Sequence, residues 1–161
     1  MEQIFTLELL FKLSAAFVAS IAFAILLRVN KRHLLLAGTG AAMTYLVYVI
    51  ANTLVHSLFA AAFISTLCTA LYAEILARVR RAPTIVYTLT GVIPTVPGGD
   101  LYHAMRHLIT GNVDGALVSF KATIEIGLGI AGGIVAMSII FGIFMDTVAA
   151  VKKRRSEGAR L

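Results

Sequence analysis

Long unbroken apolar runs dominate the chain, and short basic clusters punctuate them. The stretch 9–27 is apolar apart from Lys12 and small hydroxyls, and it stops against Arg28, Lys31 and Arg32. Runs at 34–54 and 57–76 follow, separated only by Val55 and His56, which leaves room for nothing longer than a tight helical hairpin. The second of them ends in Arg78-Val79-Arg80-Arg81. A fourth segment, 84–97, is apolar but carries Pro94 and Pro97 and runs into Gly98-Gly99, so it cannot be one regular helix. The last run, 124–145, has Glu125 as its only charge and is followed by a basic tail, 146–161. None of these runs alternates with period two, which excludes a transmembrane barrel; in lipid the backbone must then satisfy itself as helix. The expected fold is an all-α integral membrane bundle of five spans, a single domain, with 98–123 an extracytoplasmic or re-entrant short helix.

Composition fits that reading. Residues of the AVILMFWYC set make up 59% of the 161 and charged residues 14%, and mean hydropathy is +0.90. Soluble domains carry about 25% charge. At about 20 residues per span, the chain holds one small bundle and no separate soluble catalytic domain. Ala22-Phe23-Ala24 looks like a cleavage site, but Glu2 and Glu8 precede it and the apolar run continues past it, which favours a retained span over a signal peptide.

The net charge of +6 reads as topology and not as nucleic-acid binding. Of the fourteen Lys and Arg, three lie at 28–32, three at 78–81 and five at 152–160, while Arg106 and Lys121 stand alone between 98 and 123. Five crossings with the N-terminus outside put every cluster on the cytoplasmic side, the tail against anionic lipid. Four crossings would set the 78–81 cluster and the tail on opposite faces.

The densest chemistry lies in Gly91-Val92-Ile93-Pro94-Thr95-Val96-Pro97-Gly98-Gly99-Asp100. The prolines disrupt the helix, the glycine pair lets the backbone reverse, and Asp100 is expected to cap a new helix over 101–109 that ends at Gly111. Broken helices in transporters aim their amides at a substrate cavity, and a plain structural kink would read the same way in sequence. Asp100, His103 and His107 share one helical face, open to three readings: a metal site, a proton relay, or a wetted surface. Among the other charges, Glu74–Arg78 and Lys121–Glu125 have helix-pair spacing, and Lys12 is read as snorkelling outward. Gly129 and Gly133, with Gly127, Gly132 and Gly142 nearby, form a small-residue packing face, and Ala60-Ala61-Ala62 offers a matching surface. Lone Cys68 and four histidines give no disulfide framework or zinc module, and no hydrolase or nucleotide motif occurs. No cofactor is expected and no enzyme activity.

Pro83-Thr84, the Gly91–Gly99 segment, Tyr102 and Gly111-Asn112 together resemble the hallmark of the threonine/serine exporter family in its small-subunit form. The resemblance implies one five-span half of a ten-span exporter whose other half is a second membrane subunit, in a bacterial inner membrane. It implies export of threonine and serine, or of small carboxylates such as succinate, by alternating access. The substrate-path candidates are Pro94, Thr95, Pro97, Gly98, Gly99, Asp100, Tyr102 and His103. Thr95 stands where the family often has a bulky apolar residue. A higher oligomer, or a scaffold role without transport, is also compatible with the sequence.

Overall fold

A computed structural model of the chain describes residues 7–158, with side chains to 148. All described elements are helical: α1 (Leu7–Leu26), α2 (Lys31–Val55), α3 (Leu58–Arg80), α4 (Thr84–Val92), a 3-10 turn (Ile93–Thr95), α5 (Gly98–Ile109) and α6 (Val113–Gly158). Four of them, α1, α2, α3 and α6, are long and apolar enough to cross a membrane, whereas α4 with its 3-10 turn is shorter.

Local chemistry sets the boundaries. Asn30 opens α2 by accepting from the Arg32 amide at 3.2 Å. His56 closes it in the left-handed region at φ 52°, and Ser57 caps α3 through the Ala60 amide at 3.4 Å. The link between α2 and α3 is thus two residues long. Arg81 ends α3, also left-handed, and Arg78 and Arg80 place positive charge on its carbonyl end. Pro83 then forces extended backbone before α4. Between α5 and α6 the chain turns through Gly111 at φ 75°, a conformation that costs glycine little, and Asn112 accepts from the Gly115 amide at 2.9 Å to start α6.

Side-chain pairings fix the directions. Thr39 meets Tyr72 and Thr44 meets Thr69, so α2 and α3 are antiparallel. Tyr87 meets His33 while Gly91 lies by Thr44, so α4 runs parallel to α2. Gly129 packs on Phe59 and Ala62, Gly133 on Phe63 and Thr66, and the Arg78 guanidinium sits 4.1 Å from the Phe141 ring centroid. Numbering therefore rises together along α3 and α6, and these two helices are parallel. α3 is the hub between α2, α4 and α6, α1 lies on α2, and α5 packs on α6. The stretch from Val113 to Gly129 is about 24 Å of helix, so α5 and the start of α6 form a hairpin running past the Phe59 end of α3.

The interior is built of small residues. Ala24, Ala41, Ala61, Ala62, Ala73 and Ala104 are fully buried, and Tyr87 is the largest fully buried side chain among the described residues. Leu, Ile, Val and Phe side chains point outward in large number. That inversion suits a bundle whose surroundings are as apolar as its own side chains, where close backbone approach replaces hydrophobic collapse.

Two expectations from sequence are corrected. The helix after the break starts at Gly98, not after Asp100; Pro97 occupies the cap position and Asp100 lies inside the first turn, its carboxylate still facing the positive helix end. Gly98 and Gly99 make no left-handed turn, since neither has a positive φ, and both lie in the first turn of α5. The apolar run 124–145 lies within a longer helix, Val113–Gly158, because Ser119, Lys121 and Glu125 lower hydropathy without opposing helix. Side chains of the basic tail, Lys152 to Arg160, lie outside the described residues.

Candidate substrate path

Pro94 interrupts α4 inside the bundle. In a continuous helix the residue at 94 would donate to the Thr90 carbonyl, and proline has no N–H to give. Ser20 of α1 supplies the replacement: its hydroxyl donates to the Thr90 carbonyl at 2.7 Å, with the Ala37 carbonyl a second acceptor at 3.3 Å. Ser20 and Thr90 are both fully buried. Val96 donates to the Ile93 carbonyl at 3.2 Å and closes the 3-10 turn. Thr95 is buried and its hydroxyl donates to the Val92 carbonyl at 2.8 Å, so its proton stays within its own segment.

Beneath the break lies a pair of buried threonines. The Thr44 and Thr69 hydroxyls are 2.5 Å apart, linking α2 to α3. One of them donates to the other, and the remaining proton goes to a carbonyl one turn back, Gly40 or Ser65. A Cβ at Gly91 would come within 2.6 Å of Thr69 Cγ2, so glycine lets α4 rest on this pair. The buried Thr66 hydroxyl has no partner among the described residues. At the Arg81 end of the bundle, the Tyr87 hydroxyl and His33 Nδ1 are 2.6 Å apart.

An open cleft of about 290 Å³ lies beside the break, lined by Lys12, Ala15, Ala16 and Ala19 of α1, Tyr45 of α2, and Pro94. Lys12 does more than reach outward: its ammonium pairs with Glu8 at 2.6 Å and it forms one wall of this cleft.

Of the substrate-path candidates, Pro94 alone lines the cleft. Thr95 packs just behind it. Pro97, Gly98 and Gly99 form the joint into α5, and a Cβ at either glycine meets nothing within 4 Å. Asp100 is half-buried on α5, and Tyr102 and His103 are exposed there, ring centroids 5.6 Å apart. His107 turns toward Asn112 at 3.4 Å. Among the described residues no three His, Cys, Asp or Glu are grouped to hold a metal.

Sequence reasoning missed the hydroxyls Ser20, Thr44, Thr69 and Thr90. Their signal was the i, i+4 spacing of hydroxyls and small residues, as in Gly40/Thr44 and Ser65/Thr69, which lets a hydroxyl bond its own helix when buried.

Residues 12–140 match the family model described as Threonine/Serine exporter, ThrE. The chain belongs to this family. No curated protein and no solved structure matches it. The exporter match begins at Lys12 and takes in the cleft, the buried hydroxyls and the interrupted segment. It covers the Gly129 and Gly133 contact with α3 as well. Family and fold agree on a multi-pass membrane protein of the exporter type.

Proposed function

We propose that this chain is one half of a two-component secondary exporter in a bacterial inner membrane, moving small amino acids such as threonine and serine, or dicarboxylates such as succinate. A second membrane subunit of the same family supplies the other half, anionic lipid holds the basic tail, and the pair can assemble further. The chain crosses five times, N-terminus outside, with 84–97 as the fourth crossing. Parallel α3 and α6 support this count: a chain that leaves α3 at one end and starts α6 beyond the other must return between them.

One observation carries the transport reading. The helical backbone from Thr84 to Thr95 covers about 18 Å, against a hydrocarbon core of about 30 Å, so the irregular turn lies at membrane depth and its Pro94 borders an open cleft. Irregular backbone is tolerated at that depth where it is buried in protein or lines a wet cavity. In alternating access the interrupted segment would be the element whose two ends move independently, with Asp100, Tyr102 and His103 on the outer arm.

The test is efflux of preloaded threonine, serine or succinate from cells producing both subunits, with membrane abundance measured in parallel. The variant Pro94→Ala/Pro97→Ala should insert normally and lose at least tenfold in efflux. Normal efflux at normal abundance would leave the break as a determinant of the fold only. A tagged chain should co-purify its five-span partner in fixed ratio.

A further inference from the structure

The cleft beside Pro94 has one charged wall, Lys12, that the transport reading does not use, and Glu8 stands beside that lysine outside the lining. Lys12, Ala15, Ala16 and Ala19 fall at i, i+3, i+4 and i+7, one stripe of α1, and alanine fills every position after the lysine. The stripe is thus a smooth floor with one cation at its end. Glu8 stands one turn before Lys12, with Oε1 2.6 Å from Nζ. Tyr45 faces the floor from α2, and Pro94 closes it from the interrupted segment. Lys12 remains 51% exposed and Glu8 73%, so both can be reached. An ionisable residue within a span is a functional candidate by default, and a simple helix ion pair would need neither the alanine floor nor the walls around it.

We infer that this cleft is a binding site for the charged end of a zwitterionic small amino acid. The ligand carboxylate accepts from Lys12 Nζ and its ammonium donates to Glu8, with the side chain lying over the alanines. The charge pattern selects between the two ligand classes considered above. An amino acid carries both charges on one carbon, so it opposes Lys12 and Glu8 together and signs alternate around the site. A dicarboxylate drawn to Lys12 brings its charge against Glu8 one turn away. The volume, about 290 Å³, lies just below the roughly 300–1,000 Å³ of small-molecule pockets, which suits a compact metabolite. What the binding serves rests on the exporter reading; the binding itself is measurable without transport.

The experiment is equilibrium binding of radiolabelled L-threonine to the purified chain, with whatever subunit co-purifies, in lipid nanodiscs. Competitors are L-threonine methyl ester, which lacks the carboxylate, the corresponding 2-hydroxy acid, which lacks the ammonium, and succinate. All three should compete at least tenfold more weakly than unlabelled threonine. Lys12→Met should lower affinity at least tenfold and Lys12→Arg should keep most of it. Ala15→Leu, at an exposed position outside the packed interior, should fill the cleft and cost a similar factor with the bundle intact. Glu8→Gln should weaken threonine and strengthen succinate. No binding by the wild type, succinate competing as well as threonine, or unchanged binding in both Lys12→Met and Ala15→Leu would overturn the site. Binding that passes these tests without efflux from cells making both subunits counts against the exporter reading and leaves the site standing.

Discussion

Gly129 and Gly133 are where α6 touches the backbone of α3, and alanine at either should measurably loosen the bundle. A Cβ at Gly129 would sit 2.6 Å from the Phe59 carbonyl oxygen and 2.8 Å from Ala62 Cβ; at Gly133 it would sit 2.8 Å from the Phe63 carbonyl oxygen and 2.9 Å from Thr66 Cβ. Ordinary contact begins near 3.4 Å, so the helices must part by up to 0.8 Å at the first site (3.4 − 2.6) and 0.6 Å at the second (3.4 − 2.8). The obstacle is largely backbone, which has no rotamer to escape into. Overpacking of this kind costs about 1–3 kcal/mol. Alanine also gains about 1 kcal/mol over glycine in helix propensity, and that gain must be removed from the comparison. Gly127→Ala does this, since nothing lies within 4 Å of its Cβ. Relative to Gly127→Ala, Gly129→Ala should be about 1–3 kcal/mol less stable in reversible unfolding by detergent titration, followed by circular dichroism. The double variant Gly129→Ala/Gly133→Ala should cost less than the sum, because one displacement relieves both clashes. Equal stability of Gly129→Ala and Gly127→Ala, within about 0.5 kcal/mol, would refute the parallel contact of α3 with α6.

Gly91→Ala should destabilise by about 1–3 kcal/mol through the Thr69 methyl, and Thr69→Ser, which deletes that methyl and keeps the hydroxyl, should restore most of the loss in the same unfolding assay. Tyr87→Phe should cost about 0.5–1.5 kcal/mol for the lost bond to His33, read the same way. In a Cys68→Ser background, a cysteine at Asn112 should react with a membrane-impermeant thiol reagent in intact cells and one at Asn30 should not; labelling at both positions would break the five-crossing topology.

Which parts of this structure the sequence reveals follows from what each signal measures. Hydropathy detects the stretch a bilayer must cover, so it locates α1, α2 and α3 within a few residues. It undershoots α6, whose first turns are more polar and still helical. Proline chemistry announces the interruption near 94, since a missing donor is a local property. The glycine pair misleads because permission to adopt positive φ is not an instruction to do so, and at a helix start two glycines can simply be helical. The cleft is invisible because its walls come from positions 12–19, 45 and 94, which only the tertiary fold brings together. The buried hydroxyls hide for another reason: serine and threonine can bond their own helix on any face, so the residue type does not say which face is inside.

Ser20 uses such a hydroxyl to reach a backbone carbonyl on another helix, and it offers the sharpest test of how the break is tolerated. Pro94 leaves the Thr90 carbonyl without its usual donor at a fully buried position, and Ser20 donates to it at 2.7 Å. A buried acceptor stripped of its partner costs about 1–3 kcal/mol. Ser20→Ala should therefore destabilise the chain by that amount, with almost no change in packed volume. The same substitution in a Pro94→Ala background should cost far less, because the alanine introduced there has an amide N–H that can donate to the Thr90 carbonyl within the helix. A double-mutant cycle on detergent unfolding isolates this dependence, with coupling expected near 1–2 kcal/mol, in the range found for residues sharing one hydrogen-bond network. If Ser20→Ala costs the same in both backgrounds, Ser20 acts through its bond to Ala37 or through packing alone, and the interruption must be held open by the Thr44–Thr69 pair beneath Gly91.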